Sequence, residues 1–387
     1  MTKKKENRIN FFTKGSSDYI IIIVVSILLA LGLIMVLSAS SATALSEGGD
    51  SYSYFRRQAM VAGAGIVIAI VLSKVDYRIY RKFKWIFYVI MIALLFLVGF
   101  TGMSAGGATR WINIGGFNFQ PSELAKLVFI LFFASLMSDL KENGKIKNFF
   151  WGCIFPLIFL IPVVISIYVL QNHFSATFVI CLISVIQMVV AGTKISHFVV
   201  LGALGVGALG VFLSAKSGNS SSGSDSSFRI GRIQTWLDPW SDVTGDGWQI
   251  IQSLYAIGSG GLFGAGLGQS KQKYLYLPEP QNDFIFAILA EELGYVGCLA
   301  VIILFLIFIW RGIVIATRAQ DTFGTLIAVG IVSLIGVQAI INIAVVTNTI
   351  PVTGMQLPFF SYGGTAMLVN LAAVGILLNI ARSAKKK

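Results

Sequence analysis

Asp238, Asp242, Asp246, Glu279, Asp283, Glu291 and Glu292 all fall between positions 236 and 295, in a chain of 387 residues with only 17 acidic side chains. Carboxylates gathered this closely can take protons, hold a divalent cation or bind hydroxyl groups. Asp238, Asp242 and Asp246 are spaced by four, which loosely evokes a calcium loop. They lack the alternating ligands and closing Glu of an EF-hand, so the metal signal is weak. GAGLGQ at 264–269 partly matches a dinucleotide fingerprint, but no strand precedes it and no βαβ unit is available, which leaves turn glycines. Asp283 is the sharper candidate, a possible cation ligand as well as a possible base. It follows LPEPQN and precedes FIFAILAEELGYVG, so it should cap an apolar helix whose N-terminus favours the ionised carboxylate. Merely stabilising that helix is the other role open to it. Glu291 and Glu292 should lie roughly 12–14 Å deeper along the axis. Lipid exposure would be expensive there, so they should face protein or a hydrated cavity. Proton relay, substrate groove and structural pairing are all open to them.

Two other stretches carry chemistry in apolar surroundings. In GGATRWINIGGFNFQPSELAKL, residues 106–127, Gln120-Pro121 reads as a helix start with Pro in the first turn. Glu123 and Lys126 then sit at i and i+3, close enough to pair just inside a membrane, where charges are costly and usually functional. A structural ion pair is the alternative. Arg110, beside Trp111, suits an anionic headgroup or phosphate through its forked guanidinium, or else serves as an interfacial anchor. TNTIPVTGMQLPFFSYGGTAM, residues 347–367, is dense in Pro, Gly and aromatic residues, and reads as a broken, re-entrant segment lining a cavity.

The elements that must position these groups are helices in a membrane. Hydrophobic residues make up 56% of the chain and charged residues 12%, about half the charged share of a soluble protein. The fold class is therefore an all-α integral membrane protein. Apolar runs lie near 19–37, 59–73, 85–102, 121–139, 149–170, 174–192, 196–214, 284–310, 322–345 and 363–381, about ten spans. The first follows a basic start and could be a signal peptide. Its length, near the roughly 20 residues that cross a bilayer, makes it an uncleaved helix. The net charge of +12 comes from short basic clusters between spans, which is topology information and not a nucleic-acid stripe. These clusters place both termini, 1–18 and 382–387, in the cytoplasm, with the membrane domain at 19–381. The loop 215–283, between the seventh and eighth spans, then lies outside. It opens with the mobile-looking SGNSSSGSDSS. It continues into WQIIQSLYAI, which with Trp236, Trp240, Trp248 and Tyr255 should lie ordered against the bilayer surface. Cys153, Cys181 and Cys298 are isolated packing residues, and His173 and His197 are too few and too far apart for a zinc site.

ATRWINIGGFNFQPSELAKL, WLDPWSDVTGDGWQIIQSLYAIGSGG, LPEPQNDFIFAILAEELG and PVTGMQLPFFSYGG together resemble the signatures of the FtsW/RodA/SpoVE (SEDS) family of bacterial cell-wall synthesis, over essentially the whole chain. FQPSELAKL and LPFFSYGG look closer to the FtsW/SpoVE branch, of division or sporulation, than to the elongation branch. The resemblance implies an inverting peptidoglycan glycosyltransferase of the bacterial plasma membrane, at the division septum. Such enzymes polymerise lipid II, a disaccharide-pentapeptide on undecaprenyl pyrophosphate, on the outer face. The family's catalytic Asp falls on Asp283. A sugar 4-hydroxyl would attack the anomeric carbon of the growing strand, with Asp283 as base. Arg110, and a divalent cation (Mg or Mn), would offset pyrophosphate charge; no organic cofactor is implied. Glu123, Lys126, Gln249, Ser253, Glu279 and Glu291 join Arg110 as substrate-side candidates. Where the family often has His-Thr before the Asp, this chain has Gln281-Asn282. Where many relatives have Gln-Pro-Asp, it has Gln171-Asn172-His173, so no role passes to His173. Implied partners are a class B penicillin-binding protein transpeptidase, supplied in trans, and other divisome proteins, with no nucleic acid. A lipid II flippase and a non-catalytic scaffold for the transpeptidase are the alternatives.

Overall fold

The computed structural model describes residues 18–199 and 234–384, apart from 102, 106–107, 116 and 244. Helices dominate: α1 (Tyr19–Ser46), α2 (Ser53–Leu72), the short α3 (Arg78–Lys82), α4 (Lys84–Thr101), α5 (Pro121–Glu142), α6 (Phe155–Ile165), α7 (Phe174–Ala191), α8 (Asp246–Gly260), α9 (Ile285–Arg318), α10 (Thr322–Val346) and α11 (Gly364–Ser383). Wider π-type turns, Phe150–Ile154 and Ser166–Leu170, extend α6 in both directions. Pro162 sits inside α6, and Ser166 donates to its carbonyl at 2.7 Å.

Among the described residues, seven helices are long and apolar enough to cross a membrane: α1, α2, the run Phe150–Leu170, α7, α9, α10 and α11. The apolar runs at 85–102 and 121–139 are also helical, as α4 and α5. The expected run at 196–214 lies outside the described residues beyond position 199, as does SGNSSSGSDSS. The chain is thus a helical, multi-pass membrane protein, without the count of ten being fixed.

Burial sorts the helices. α5, α10 and α11 are enclosed along most of their length. α9 leaves Val296, Leu299, Ile303, Leu306, Trp310 and Ile313 exposed, a stripe at three- and four-residue intervals on one face. A stripe that large on a soluble monomer would be a liability; on a membrane helix it is where lipid sits. α2 is likewise mostly lipid-facing and is held on α11 by small residues: a Cβ on Gly375 would come within 2.6 Å of the Ala69 carbonyl oxygen. At the end of the bundle expected in the cytoplasm, α3 is tied by ion pairs, Arg78 to Asp321 at 3.1 Å and Arg81 to Asp139 at 2.5 Å, and Lys84 at the start of α4 pairs with the same Asp139.

Two features were not anticipated from sequence. A three-stranded antiparallel sheet, β1 (Met103–Ala105), β2 (Ala108–Ile114) and β3 (Phe117–Phe119), joins α4 to α5. It pairs Ser104 with Thr109 and Ile112 with Phe119. α9 is also not one rod. It breaks at Gly294 (φ 67, ψ −167) into Ile285–Leu293 and a longer second part. Residues 347–363, by contrast, form the irregular segment that their composition suggested, buried from Leu357 to Ser361, with left-handed backbone at Asn348, Gly354 and Phe359.

Candidate active site

Four helices begin beside one another. α5 starts at Pro121, and the Gln120 amide before it donates to Thr365 Oγ1 at the start of α11, at 3.0 Å. In the first turn of α5, Ser122 Oγ lies 3.2 Å from Nδ1 of His173, the residue before α7. Ser175 in the first turn of α7 donates to the Thr353 carbonyl in the irregular segment. The next residue, Gly354, lies against Asp283, before α9: a Cβ at Gly354 would stand 3.3 Å from Asp283 Oδ2. Tyr362, before α11, donates its amide to the Gln281 carbonyl at 2.8 Å. Each helix start presents unpaired N–H groups and the positive end of its dipole, so the common ground between them favours an anion.

Asp283 is partly exposed at this convergence, and no hydrogen bond to its carboxylate occurs among the described residues. Its main chain is pinned instead. Asn342 Nδ2, fully buried on α10, donates to the Asp283 carbonyl at 2.7 Å and to the Met355 carbonyl at 2.6 Å. One amide therefore holds the Asp283 turn and the irregular segment in register. Desolvation pushes the Asp283 carboxyl up from its ordinary value, the nearby Glu279 charge pushes it further, and Arg110 pulls it back, to about 6. A carboxylate poised there is ionised at neutral pH yet more basic than an ordinary aspartate, as a general base requires.

Arg110 projects from β2. Its guanidinium donates to the Asn172 carbonyl at 2.7 Å and more weakly to that of Gln171 at 3.4 Å, which anchors the strand to the turn before α7. Its charge reaches both Asp283 and His173. His173 is held neutral, its imidazole lowered to about 3 by burial and then by the Arg110 and Lys126 charges. Lys126 pairs with Glu123 at 2.7 Å, both buried on α5. Arg110, Glu123, Lys126 and Asp283 therefore belong to one neighbourhood.

Glu279 belongs there too, in left-handed backbone (φ 47). Its Oε2 accepts from Asn282 Nδ2 at 2.8 Å and Gln281 Nε2 at 3.1 Å. Gln249 and Ser253, on α8, are less direct. Gln249 reaches the Pro278 carbonyl at 3.4 Å, while Ser253 is fully buried and donates to the Val346 carbonyl at 2.8 Å. Ser253 thus fastens α8 to the end of α10. Glu291 lies apart from the set, its carboxylate taken by the Lys271 amide at 2.9 Å, the Gln272 amide and the Ser270 hydroxyl. Asp238 and Asp242 cap their own turns, through the amides of Trp240 and Gly245; of Asp246 only the backbone is described.

Among the described residues no cluster of three or more His, Cys, Asp or Glu could cage a metal ion. Asp283 and Glu279 suit a cation that keeps waters and shares a phosphate-bearing substrate, as Mg²⁺ does. Buried side-chain oxygens without partners lie on residues in or next to this region: Gln281 Oε1, Asn282 Oδ1, Asn342 Oδ1, Thr353 Oγ1 and Gln356 Oε1. Buried polar atoms are ordinarily paired, so a run of such oxygens fits a site that water, a cation or hydroxyl groups complete. Asn342 had no sequence signal beyond being a polar residue within an apolar segment; Ser122, Thr353 and Gly354 lie in stretches that stood out in the sequence, but nothing marked them individually.

Comparison with known proteins fits this geometry. Residues 18–386 match the family model described as cell cycle protein, FtsW/RodA/SpoVE. The chain is 44% identical over 372 residues to stage V sporulation protein E of Bacillus subtilis, covering 95% of this chain and 98% of that protein. It is 37% identical to a probable peptidoglycan glycosyltransferase FtsW of a Geobacter species, over 94% of this chain and 96% of that one. It also superposes, with TM-score 0.75 and 26% identity over 95% of its length, on a chain from "Structural coordination of polymerization and crosslinking by a peptidoglycan synthase complex", covering 98% of that chain. With the family model spanning nearly the whole chain and relatives this similar end to end, the protein belongs to the FtsW/RodA/SpoVE family of multi-pass membrane proteins.

Proposed function

We propose that this protein is a peptidoglycan glycosyltransferase that polymerises lipid II at the outer face of the bacterial plasma membrane, in division or sporulation. The observation that carries the reading is Asp283: a partly exposed carboxylate tuned upward, set at a junction of four helix starts and within the field of Arg110. Such a place suits a substrate with a sugar at one end and a diphosphate at the other. Asp283 takes the proton of the acceptor's 4-hydroxyl as that oxygen bonds to the anomeric carbon of the growing strand. The bond from that carbon to the diphosphate breaks, and undecaprenyl pyrophosphate departs with the electron pair. A single displacement inverts the anomeric centre. Arg110 and the helix starts orient the diphosphate and offset its charge, while the buried Glu123–Lys126 pair, neutral as a whole, fixes the first turn of α5. Asp283 and Glu279 are the residues that would hold a divalent cation, which would add charge neutralisation at the diphosphate.

The relatives' names support the chemistry and a sporulation setting, and the family's description as cell cycle protein supports division. The synthase-complex structure supports a partner that cross-links, which we take to be a class B penicillin-binding protein acting beside other divisome proteins. The test is polymerisation of purified lipid II by the purified protein with that partner and Mg²⁺ or Mn²⁺, alongside lipid II translocation in vesicles carrying the same protein. Glycan strands without translocation support the enzyme. Translocation without strands supports a flippase, and neither activity, with the partner bound, leaves a scaffold.

A further inference from the structure

Glu291 and Glu292 lie outside the reacting set, yet they hold the chain on either side of it. α9 breaks at Gly294 because the glycine-rich loop crosses it there: a Cβ at Gly294 would meet Gly264 N at 2.3 Å and the Leu262 carbonyl oxygen at 2.6 Å. The helix carbonyls of Glu291 and Glu292 accept instead from Ala265 N at 2.9 Å and Gly266 N at 3.1 Å. Tyr295 N and Val296 N donate back to the carbonyls of Gly261 and Leu262. The side chains continue the attachment. Glu291 takes the Ser270 hydroxyl and the amides of Lys271 and Gln272. Glu292 Oε1 takes Ser38 Oγ of α1 at 2.6 Å, Lys273 Nζ at 3.1 Å and Ser270 N at 3.3 Å. Lys273 also donates to Ser38 Oγ at 3.0 Å and the Gly268 carbonyl at 2.6 Å. Lys273 and Glu292 are 3% and 0% exposed, and Glu292 Oε2 has no partner.

The contacts between 270–273 and 291–292 close the intervening chain into a ring. Asp283 lies within that ring, two residues before the strut Ile285–Leu293, along which Ile285 and Glu292 are about 10 Å apart by helical rise. A buried ion pair contributes little stability compared with an apolar replacement of similar volume, but it does specify one geometry. We propose that the Ser38–Lys273–Glu292 cluster, with Glu291, is a positioning device for Asp283: it fixes the short strut Ile285–Leu293 and the returning loop, so that the carboxylate meets the acceptor hydroxyl in register. This inference rests on Asp283 being the general base.

The test is steady-state polymerisation by the protein in complex with its transpeptidase, with kcat and KM measured separately. The paired variant Lys273→Met/Glu292→Met removes both charges together and so leaves no lone buried charge. It does leave Ser38 Oγ, Ser270 N and the Gly268 carbonyl without these partners, so it should fold but melt below the wild-type temperature. With the base displaced, kcat should fall by about tenfold or more while KM for lipid II stays within about twofold. Ser38→Ala, a gentler change that keeps the ion pair, should lower kcat by a smaller factor in the same direction, and it decides the matter if the paired variant does not fold. Lys273→Arg should recover most of the rate. Wild-type kcat in a stable paired variant would overturn the proposal, as would a loss carried by KM. Asp283→Asn is measured beside them. Residual wild-type polymerisation there removes the base itself, whereas an inactive Asp283→Asn with an unaffected paired variant removes only the clasp.

Discussion

At the scale of the residue, Asp283 combines a cost and a use. Its carboxyl is raised to about 6 in the folded protein, chiefly by desolvation and then by Glu279, so the folded state holds its proton more tightly than the unfolded chain does. The stabilisation this gives is complete below the ordinary aspartate value and is lost as pH rises through about 6. In chelator, Asp283→Asn should therefore melt a few degrees above wild type at pH 8, with the gap closing near pH 4. Added Mg²⁺ should narrow the gap at pH 8, because the cation favours the ionised wild-type group. A gap that is the same at both pH values would contradict this account of the carboxyl. Asn342 carries a structural load nearby. Asn342→Leu leaves the carbonyls of Asp283 and Met355 without their donor, at about 1–3 kcal/mol for each buried group left unpaired. Thermal melting should show that loss, and polymerisation should fall with it, since the same amide aligns the turn that carries the base.

At the scale of the element, the break in α9 matters most. Gly294→Ala puts a Cβ into left-handed backbone and against the main chain of Leu262 and Gly264. It should destabilise the protein measurably and cut activity even though residue 294 lies far from Asp283; a stable, fully active variant would show that the loop crossing is not needed. Sequence foresaw part of this architecture. Pro121 marked the start of α5, and the Glu123–Lys126 spacing anticipated the pair now seen at 2.7 Å. The stretch 284–310 read as one apolar run, because periodicity does not register a single glycine whose constraint comes from a crossing loop. Glu291 read as a substrate-side group for the same reason: its partners, residues 270–272, are close only after the chain folds back. The sheet over 103–119 escaped notice because strands of three and seven residues among glycines carry little alternation. Asn342 escaped because a polar residue in an apolar helix gives no hint of which carbonyls it meets.

At the scale of the whole molecule, lipid-facing helices surround an enclosed core, and the chemistry gathers at one end of it. Asp283 and Arg110 stood out in sequence because charge is rare in a chain this apolar; the way four helix starts converge on them came only from the fold. The orientation predicted by the basic clusters places that end outside the cell. With Cys153, Cys181 and Cys298 replaced by Ser, a cysteine at the exposed Leu262 should react with a membrane-impermeant thiol reagent on intact cells. One at the exposed Lys141 should react only after lysis, and the reverse pattern would invert the topology. The most direct test remains the base itself. Wild type and Asp283→Asn, each bound to the transpeptidase and shown to bind lipid II equally, are compared for glycan strand formation with divalent cation present. The account predicts strands from wild type and none from the variant; equal strands from both would contradict it.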